Sequence, residues 1–550
     1  MLADVHFHDP SGDFGGAGVV VAGKHLALRS WADTRIAARA FNETAGALTV
    51  ALEKIAAAGV RHVVLAGDYS DDGQAENIRR LVAVLQGFEQ RYGLRFYAIP
   101  GNHDVYGPHG KHVTTRFVSA PGQTAMVTSD VAQAEAGVVV TPAMRCGGQP
   151  AALLPMARFG LFRQPEHLHW ESPFGRDDRP EARMYDAVSA DGSVVQRLMD
   201  ASYLVEPEPG LWLLMIDANV FEPRKGRPDA RQKKAFIGPS DAGWNAVLRV
   251  KPFLLDWITG VTARAAVLGK VLVSVSHYPV LDPFQDAAGS EQALFGDTAL
   301  VRRTPGPQVA QALIAAGMRW HIGGHMHVNA TTRTAEGGLT DLSLPSLGAF
   351  PAAFKILRAS VEAVHVETIP LSDVPPDPDI SALYRAEGQE NALPLGALLV
   401  AQRRANVLER RLVHDWPPAV RALVDARDAG FLVELAGGEI ADFTSRHGLD
   451  PAAIVACPLR ELIAEAYLIR VAGPLALQWV AADRLALFHA LAADFGDASA
   501  DPQQGPRGFM QRFLSVLRVS LDRMDADDTV IIPAGASSLP ARPPRYPADD

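Results

Sequence analysis

The sequence predicts an α/β protein carrying an additional helical region, and three observations lead to that reading. Apolar runs rich in Val, Ile and Leu alternate with stretches of helical period through the first part of the chain. After residue 325 the pattern changes to short strands with turns. Beyond residue 380 it becomes Ala- and Leu-rich with helical periodicity.

Five runs read as buried strands: HVVLAGD (62–68), RFYAIPG (95–101), LWLLMIDA (211–218), KVLVSVSH (270–277) and MRWHIGGH (318–325). Three amphipathic stretches read as helices, at 31–58, 73–93 and 245–269, the first ended by Gly59. TDLSLPSL and VHVETIPL supply further short strands. PPDPD at 375–379 reads as a linker, since proline cannot continue a strand ladder. These signals divide the chain into an α/β domain over 1–374, a helical domain over 380–530 and a Pro-rich disordered tail over 531–550. Within the helical part, Asp450 and Pro451 have the residue types of an N-cap and a first helical position. Residues 105–210 hold few periodic runs and read as an insertion suited to a lid. Its His167, His169, Trp170, Arg176 and Arg179 are candidates to contact an anionic substrate.

At 550 residues the chain is long enough for two or more domains, and 48% hydrophobic with 21% charged residues is an ordinary globular composition. A net charge of −10 argues against an obligate nucleic-acid binder, because affinity for a phosphate backbone would have to be local. Cys146 and Cys457 are too few for a disulfide framework or a thiolate metal site and read as buried thiols. Neither a membrane-spanning apolar window nor a signal-peptide pattern is visible, so the cytoplasm is the default expectation.

The chemistry gathers at the strand ends. The chain opens MLADVHFHDP, placing Asp4 and His6 after a very short apolar start. HVVLAGD delivers Asp68, YAIPGNHD delivers Asn102 and His103, VSVSH delivers His277, and HIGGHMH delivers His325 and His327. Ligands of open α/β sheets bind beyond the carboxyl ends of the strands, so five ends present oxygen and imidazole donors to one edge. Singly, each fragment reads as a turn or a core histidine. Five in order, each closing an apolar run, point to a metal site.

The ordered set DVH (4–6), GDYSD (67–71), GNHD (101–104), His277 and GHMH (324–327) resembles the calcineurin-like metallophosphoesterases, over about three-fifths of the chain. The resemblance implies a four-layer αββα sandwich, with two mixed sheets flanked by helices and a dinuclear metal centre between the sheet edges. It assigns Asp4, His6, Asp68 and His327 to one ion and Asp68, Asn102, His277 and His325 to the other, Asp68 bridging. It places His103 beside the substrate, with Asp71 accepting a hydrogen bond that orients it. For residues 380–550 it implies nothing.

Imidazole, carboxylate and amide donors without thiolate suit Mn, Fe or Zn. The expected reaction is hydrolysis of a phosphodiester or phosphomonoester of a small molecule by metal-bound hydroxide, with His103 assisting charge or proton transfer. Tyr69 stands one residue after the bridging carboxylate, which argues against a tyrosinate–iron site. Asp72 stands where phosphoprotein phosphatases, by resemblance, place an arginine. A nuclease, a protein phosphatase and a non-catalytic scaffold are the competing readings. Only three residues precede Asp4, so the natural chain is expected to begin further upstream, and a missing leader could include a signal to the periplasm or outside the cell. His8 is expected to play a supporting or surface role rather than that of a ligand.

Overall fold

The computed structural model describes residues 1–524 and 530–533, apart from 233, 286, 361–362 and 390. Its strands follow the apolar runs closely. They are β1 (His62–Ala66), β2 (Arg95–Ile99), β3 (His169–Glu171), β4 (Tyr203–Glu208), β5 (Leu211–Ile216) and β6 (Val271–Ser276). After them come β7 (Trp320–Gly323), β8 (Ala330–Arg333), β9 (Thr340–Ser343), β10 (Ala353–Ala359), β11 (Ala363–Pro370) and β12 (Val530–Pro533).

One sheet has seven strands in the order β8-β9-β7-β6-β5-β4-β3. Its centre, β5-β6-β7-β9, is parallel, and antiparallel strands close both sides. Because both faces are covered, these strands read as continuous apolar runs rather than alternating ones. The second sheet joins a parallel pair, β1 and β2, to an antiparallel ribbon, β10-β11-β12. The first residues of the chain form the junction. Met1 and Lys355 exchange backbone hydrogen bonds of 2.8 and 3.2 Å, while Leu2 bonds Val64 and Ala66 on β1 at 2.8 and 2.7 Å. Met1 thus pairs to one side and Leu2 to the other. Together the two sheets and their helices give the mixed α/β architecture that the resemblance implied.

Helices cover the sheets through apolar stripes. In α1 (Thr44–Ala57), Ala47, Leu48, Ala51, Leu52 and Ile55 are buried, one face at a 3.6-residue period. Truncating Leu48 or Leu52 to alanine would cost about 2–5 kcal/mol. α2 (Ala75–Tyr92) ends at Gly93 in a left-handed cap. Two helical stretches are broken where the sequence reading ran on. Residues 31–58 comprise a short helix, Trp31–Arg35, and then α1, while 245–269 is interrupted at Pro252 before α3 (Phe253–Val267). A proline lacks the N–H that the preceding turn would bond, which accounts for the second break.

The later helices include α4 (Leu395–Asn406), α5 (Leu459–Ala472) and α6 (Pro506–Asp522). Of the expected linker, Asp377 caps the helix Pro378–Ala386 by accepting from Asp379 and Ile380. Asp450 caps Pro451–Val455 as its residue type suggested. α5 is buried nearly all round, and the apolar core runs without interruption from Leu2 through α5 to Leu521. α4 is tied to the loop before α1: Gln402 donates to Arg39 O (3.0 Å) and Asn406 to Ile36 O (2.8 Å). The end of α5 is tied to the stretch after β7, Asn329 N donating to Val471 O (2.9 Å). Of the tail expected to be disordered (531–550), residues through Pro533 belong to β12, and 534–550 lie outside the described residues.

The stretch 105–210 is more ordered than the sequence suggested. It holds a small sheet (Thr114–Ala120, Gln123–Thr128, Val138–Val140), a hairpin (Met184–Val188 with Val195–Met199), and β3 and β4 of the main sheet.

Candidate metal centre

The ligands stand where strands stop. The backbone turns left-handed at Asp4 (φ 50°), His6 (47°), Asp68 (48°), His325 (68°) and His327 (53°). Eight non-glycine residues adopt positive φ among those described, so five of the eight are candidate ligands. Asp and His tolerate this region better than most residues, yet it costs about 1–3 kcal/mol each, and such strain gathers where geometry serves a site. The loops brace one another: Asp4 N donates to Gly67 O (3.1 Å) and His6 N to Asp68 O (2.9 Å). Two glycines of the motifs are required by space. A Cβ on Gly101 would lie 2.2 Å from Asp68 Oδ1, and one on Gly67, at φ 85°, 2.4 Å from the His277 ring.

The donors converge as two groups. Asp4, His6 and His327 bring ligand atoms within 4.8 Å of one another, and so do Asp68, His277 and His325. His6 Nε2 and His327 Nε2 are 3.2 Å apart, with Asp4 Oδ1 3.1 Å from the latter. Asn102 is buried, and its Oδ1 has no hydrogen-bond partner among the described residues. Asp68 belongs to a further triplet with His6 and His103, so it lies between the two groups.

The ring nitrogens are sorted by their other bonds. His277 Nδ1 bonds Ala66 O (2.9 Å), leaving Nε2 buried, 3.3 Å from Asp68 Oδ2 and not aligned for a hydrogen bond. His325 Nε2 bonds Ser240 O (3.1 Å), which leaves the lone pair on Nδ1. Burial pushes His6 and His325 well below the usual histidine range, keeping them neutral donors. His277 is the opposite case: burial lowers it, but neighbouring Asp68 outweighs that and holds it up to about 9. Two carboxylates, four imidazoles and an orphaned amide oxygen, packed this closely, fit a pair of divalent cations. Asp4, His6, Asp68 and His327 would hold one ion, and Asp68, Asn102, His277 and His325 the other.

One sequence expectation is corrected. His103 Nδ1 pairs with Asp72 Oδ1 (2.6 Å), not with Asp71. Asp71 faces the other way, fully buried against Arg29 (2.6 Å) and Arg39 (2.7 Å). Burial would raise its pKa, but the two guanidiniums hold it far below the usual carboxylate range. Asp71 and Asp72 lie in a bend between β1 and α2, where adjacent side chains leave the backbone in different directions, so a one-residue choice decides the role. His103 N also donates to Asp68 Oδ1 (2.8 Å), and its Nε2 lies 3.9 Å from Asp68 Oδ2.

The expected substrate contacts at 167–179 do not line the cavity over this centre. His169 and Trp170 belong to the edge strand β3. His169 bonds Glu171 (2.9 Å) and stacks on Trp212, while Trp170 is buried with its Nε1 on Gly160 O. His167 packs near Tyr97, and Arg179 pairs with Asp177 in solvent. Arg176 is likewise exposed. His8 is buried between Phe14 and Phe117 with Nε2 on Ala27 O (2.8 Å), away from the ligands.

The cavity itself, about 400 Å³, is walled from elsewhere. His103, Asn102 and Arg39 stand on one side, Arg303 on another, and Arg403, Arg411 and Arg470 come from the helical region. The motifs gave no warning of these arginines. One weak signal was present: Arg470 interrupts the otherwise apolar run AYLIRVAG, where a charge needs a reason.

Residues 2–132 match the calcineurin-like phosphoesterase family, in agreement with the resemblance drawn from the motifs. No curated protein matches the chain. Among solved structures, a dimetal phosphatase from Danio rerio is similar at 12% identity and a TM-score of 0.35, over 67% of this chain and 94% of that one.

Among the described residues, no helix is long and apolar enough to cross a membrane.

Proposed function

We propose that the protein is a metal-dependent hydrolase of a small phosphorylated molecule, a phosphodiester or a phosphomonoester. The observation that carries this reading is His103, held by Asp72 beside the shared carboxylate Asp68 at the mouth of two closed donor groups. When bound, the ions supply Lewis-acid activation and neutralise phosphoryl charge.

The chain's own residues do the rest. Asp72 fixes the His103 tautomer with the proton on Nδ1, so that Nε2 is the atom offered to the substrate. Protonated there, His103 can donate to a departing oxygen or stabilise the charge that develops on the phosphoryl group. Arg39, anchored by Asp71, adds a fixed positive charge on the same side of the cavity. A walled space of about 400 Å³ suits a small ester better than a duplex, which supports a small-molecule substrate over a nucleic acid. The test is turnover of a panel of phosphomonoesters and diesters, with metal content measured on the same sample. Metal binding without turnover of any ester would point to a binding module instead.

A further inference from the structure

The helical region does more than sit beside the metal centre. α4 and α5 each place arginines on the cavity wall, and both helices are fixed by hydrogen bonds to the α/β part. The three arginines differ in how they are held. Arg470 is buried and pairs with buried Glu291 (3.0 Å). Arg411 lies near Asp415 (3.5 Å) and more distantly Glu291 (4.0 Å), with its guanidinium over the Tyr467 ring at 5.1 Å. The Arg403 side chain has no hydrogen-bond or ion-pair partner among the described residues, and its Nε is buried. Removal from water and the nearby Arg411 both disfavour its charge. A guanidinium in such a place is costly unless something anionic meets it.

We infer that Arg403, Arg411 and Arg470 form a second anion subsite, so that the substrate carries a further oxyanion group beyond the phosphoryl group at the metal centre. This rests on the proposed function for the identity of the first group. The local charge count supports it: Arg403, Arg411, Arg470 and neighbouring Arg523 share Glu291, Asp415 and Asp282, which leaves one positive charge unmatched. Guanidinium forks match phosphate and carboxylate oxygens in pairs, and a water-poor wall strengthens each bond. Phosphate and carboxylate are the two chemistries that such a subsite takes. A protein with a net charge of −10 thereby gains a local positive patch on the cavity wall.

The test uses the metal-loaded full-length chain carrying His103→Ala, so that binding is read without turnover. Calorimetric titrations compare short alkyl monophosphates with matching compounds that end in a second phosphate or in a carboxylate. Binding at least about tenfold tighter for a doubly anionic probe is expected, with phosphate and carboxylate ends ranked by the same measurement. Adding Arg403→Gln should erase most of that advantage, and Arg403→Lys should restore part of it, since charge is kept but the fork is lost. Equal affinity for singly and doubly anionic probes, or an advantage untouched by Arg403→Gln, would overturn the inference. A parallel assay on the chain with His103 intact asks whether any of these esters is hydrolysed. Absence of turnover there, with the binding difference present, would sink the proposed reaction and leave the subsite standing.

Discussion

The two walls of the cavity are built by opposite means. On the α/β side every candidate ligand lies within a few residues of a strand end, in blocks of one to five residues whose glycines and left-handed turns fix the geometry locally. On the helical side single arginines arrive from α4, from the turn that follows it and from α5, held in place by packing and by distant hydrogen bonds. A geometry encoded in local backbone leaves a motif. A geometry encoded in tertiary packing leaves only an odd residue in an apolar run.

The sharpest way to break the comparison is at its shared atom. Asp68→Ala should empty both donor groups together, lowering turnover about a thousandfold or more, with metal content read by elemental analysis on the same preparation. Loss of one ion alone would show that Asp68 does not serve both groups. His103→Ala should keep its metal and lose about 10²–10⁴ in kcat, which separates chemistry from ligation.

Asp71 and Asp72 then divide the local wall into support and function. Asp72→Asn should lower kcat about 10–100-fold with little change in melting temperature. Asp71→Asn should destabilise the fold by about 3 kcal/mol, because Arg29 and Arg39 would lose their buried counter-charge. If the two variants exchange phenotypes, the His103–Asp72 pairing is wrong.

The smallest effect tests the edge strand where substrate contacts had been expected. Burial raises Glu171, but His169 and Arg264 outweigh that and hold it down at about 2, below an ordinary value of 4.5. Its contribution is complete above the unfolded value and fades as pH falls toward the folded one. Between pH 7 and pH 3 that amounts to about 2 kcal/mol. Glu171→Gln should remove this part of the acid slope in chemical denaturation, and an unchanged slope would deny the pairing.

Much of this molecule is legible in its sequence, for a physical reason. The strand runs 62–68, 95–101, 211–218, 270–277 and 318–325 end within a few residues of the observed strands, because buried parallel strands must be apolar throughout. Asp68, Asn102, His277, His325 and His327 are brought together because each closes or follows such a run, and Asp4 and His6 join them because Leu2 pairs beside β1. The misreadings come from side-chain direction and from context. In the doublet Asp71–Asp72, composition alone cannot say which carboxylate faces the arginines and which faces His103. HLHWE alternates as an edge strand does, and its histidine and tryptophan serve that edge. The arginine wall depends on a helix meeting a loop more than 300 residues earlier in the chain, as Gln402 meets Arg39.

How the three wall arginines are held sets which of them can change in a lineage of related chains. Arg470 is locked to buried Glu291 inside a helix that is itself core, so replacing it disturbs the fold along with the pocket. The Arg403 side chain has no partner among the described residues to abandon. A new side chain there alters the far end of the cavity while leaving Leu398, Leu399 and Gln402 to hold α4 in place. Drift in ligand preference therefore has an inexpensive route through position 403 and a closed one through 470.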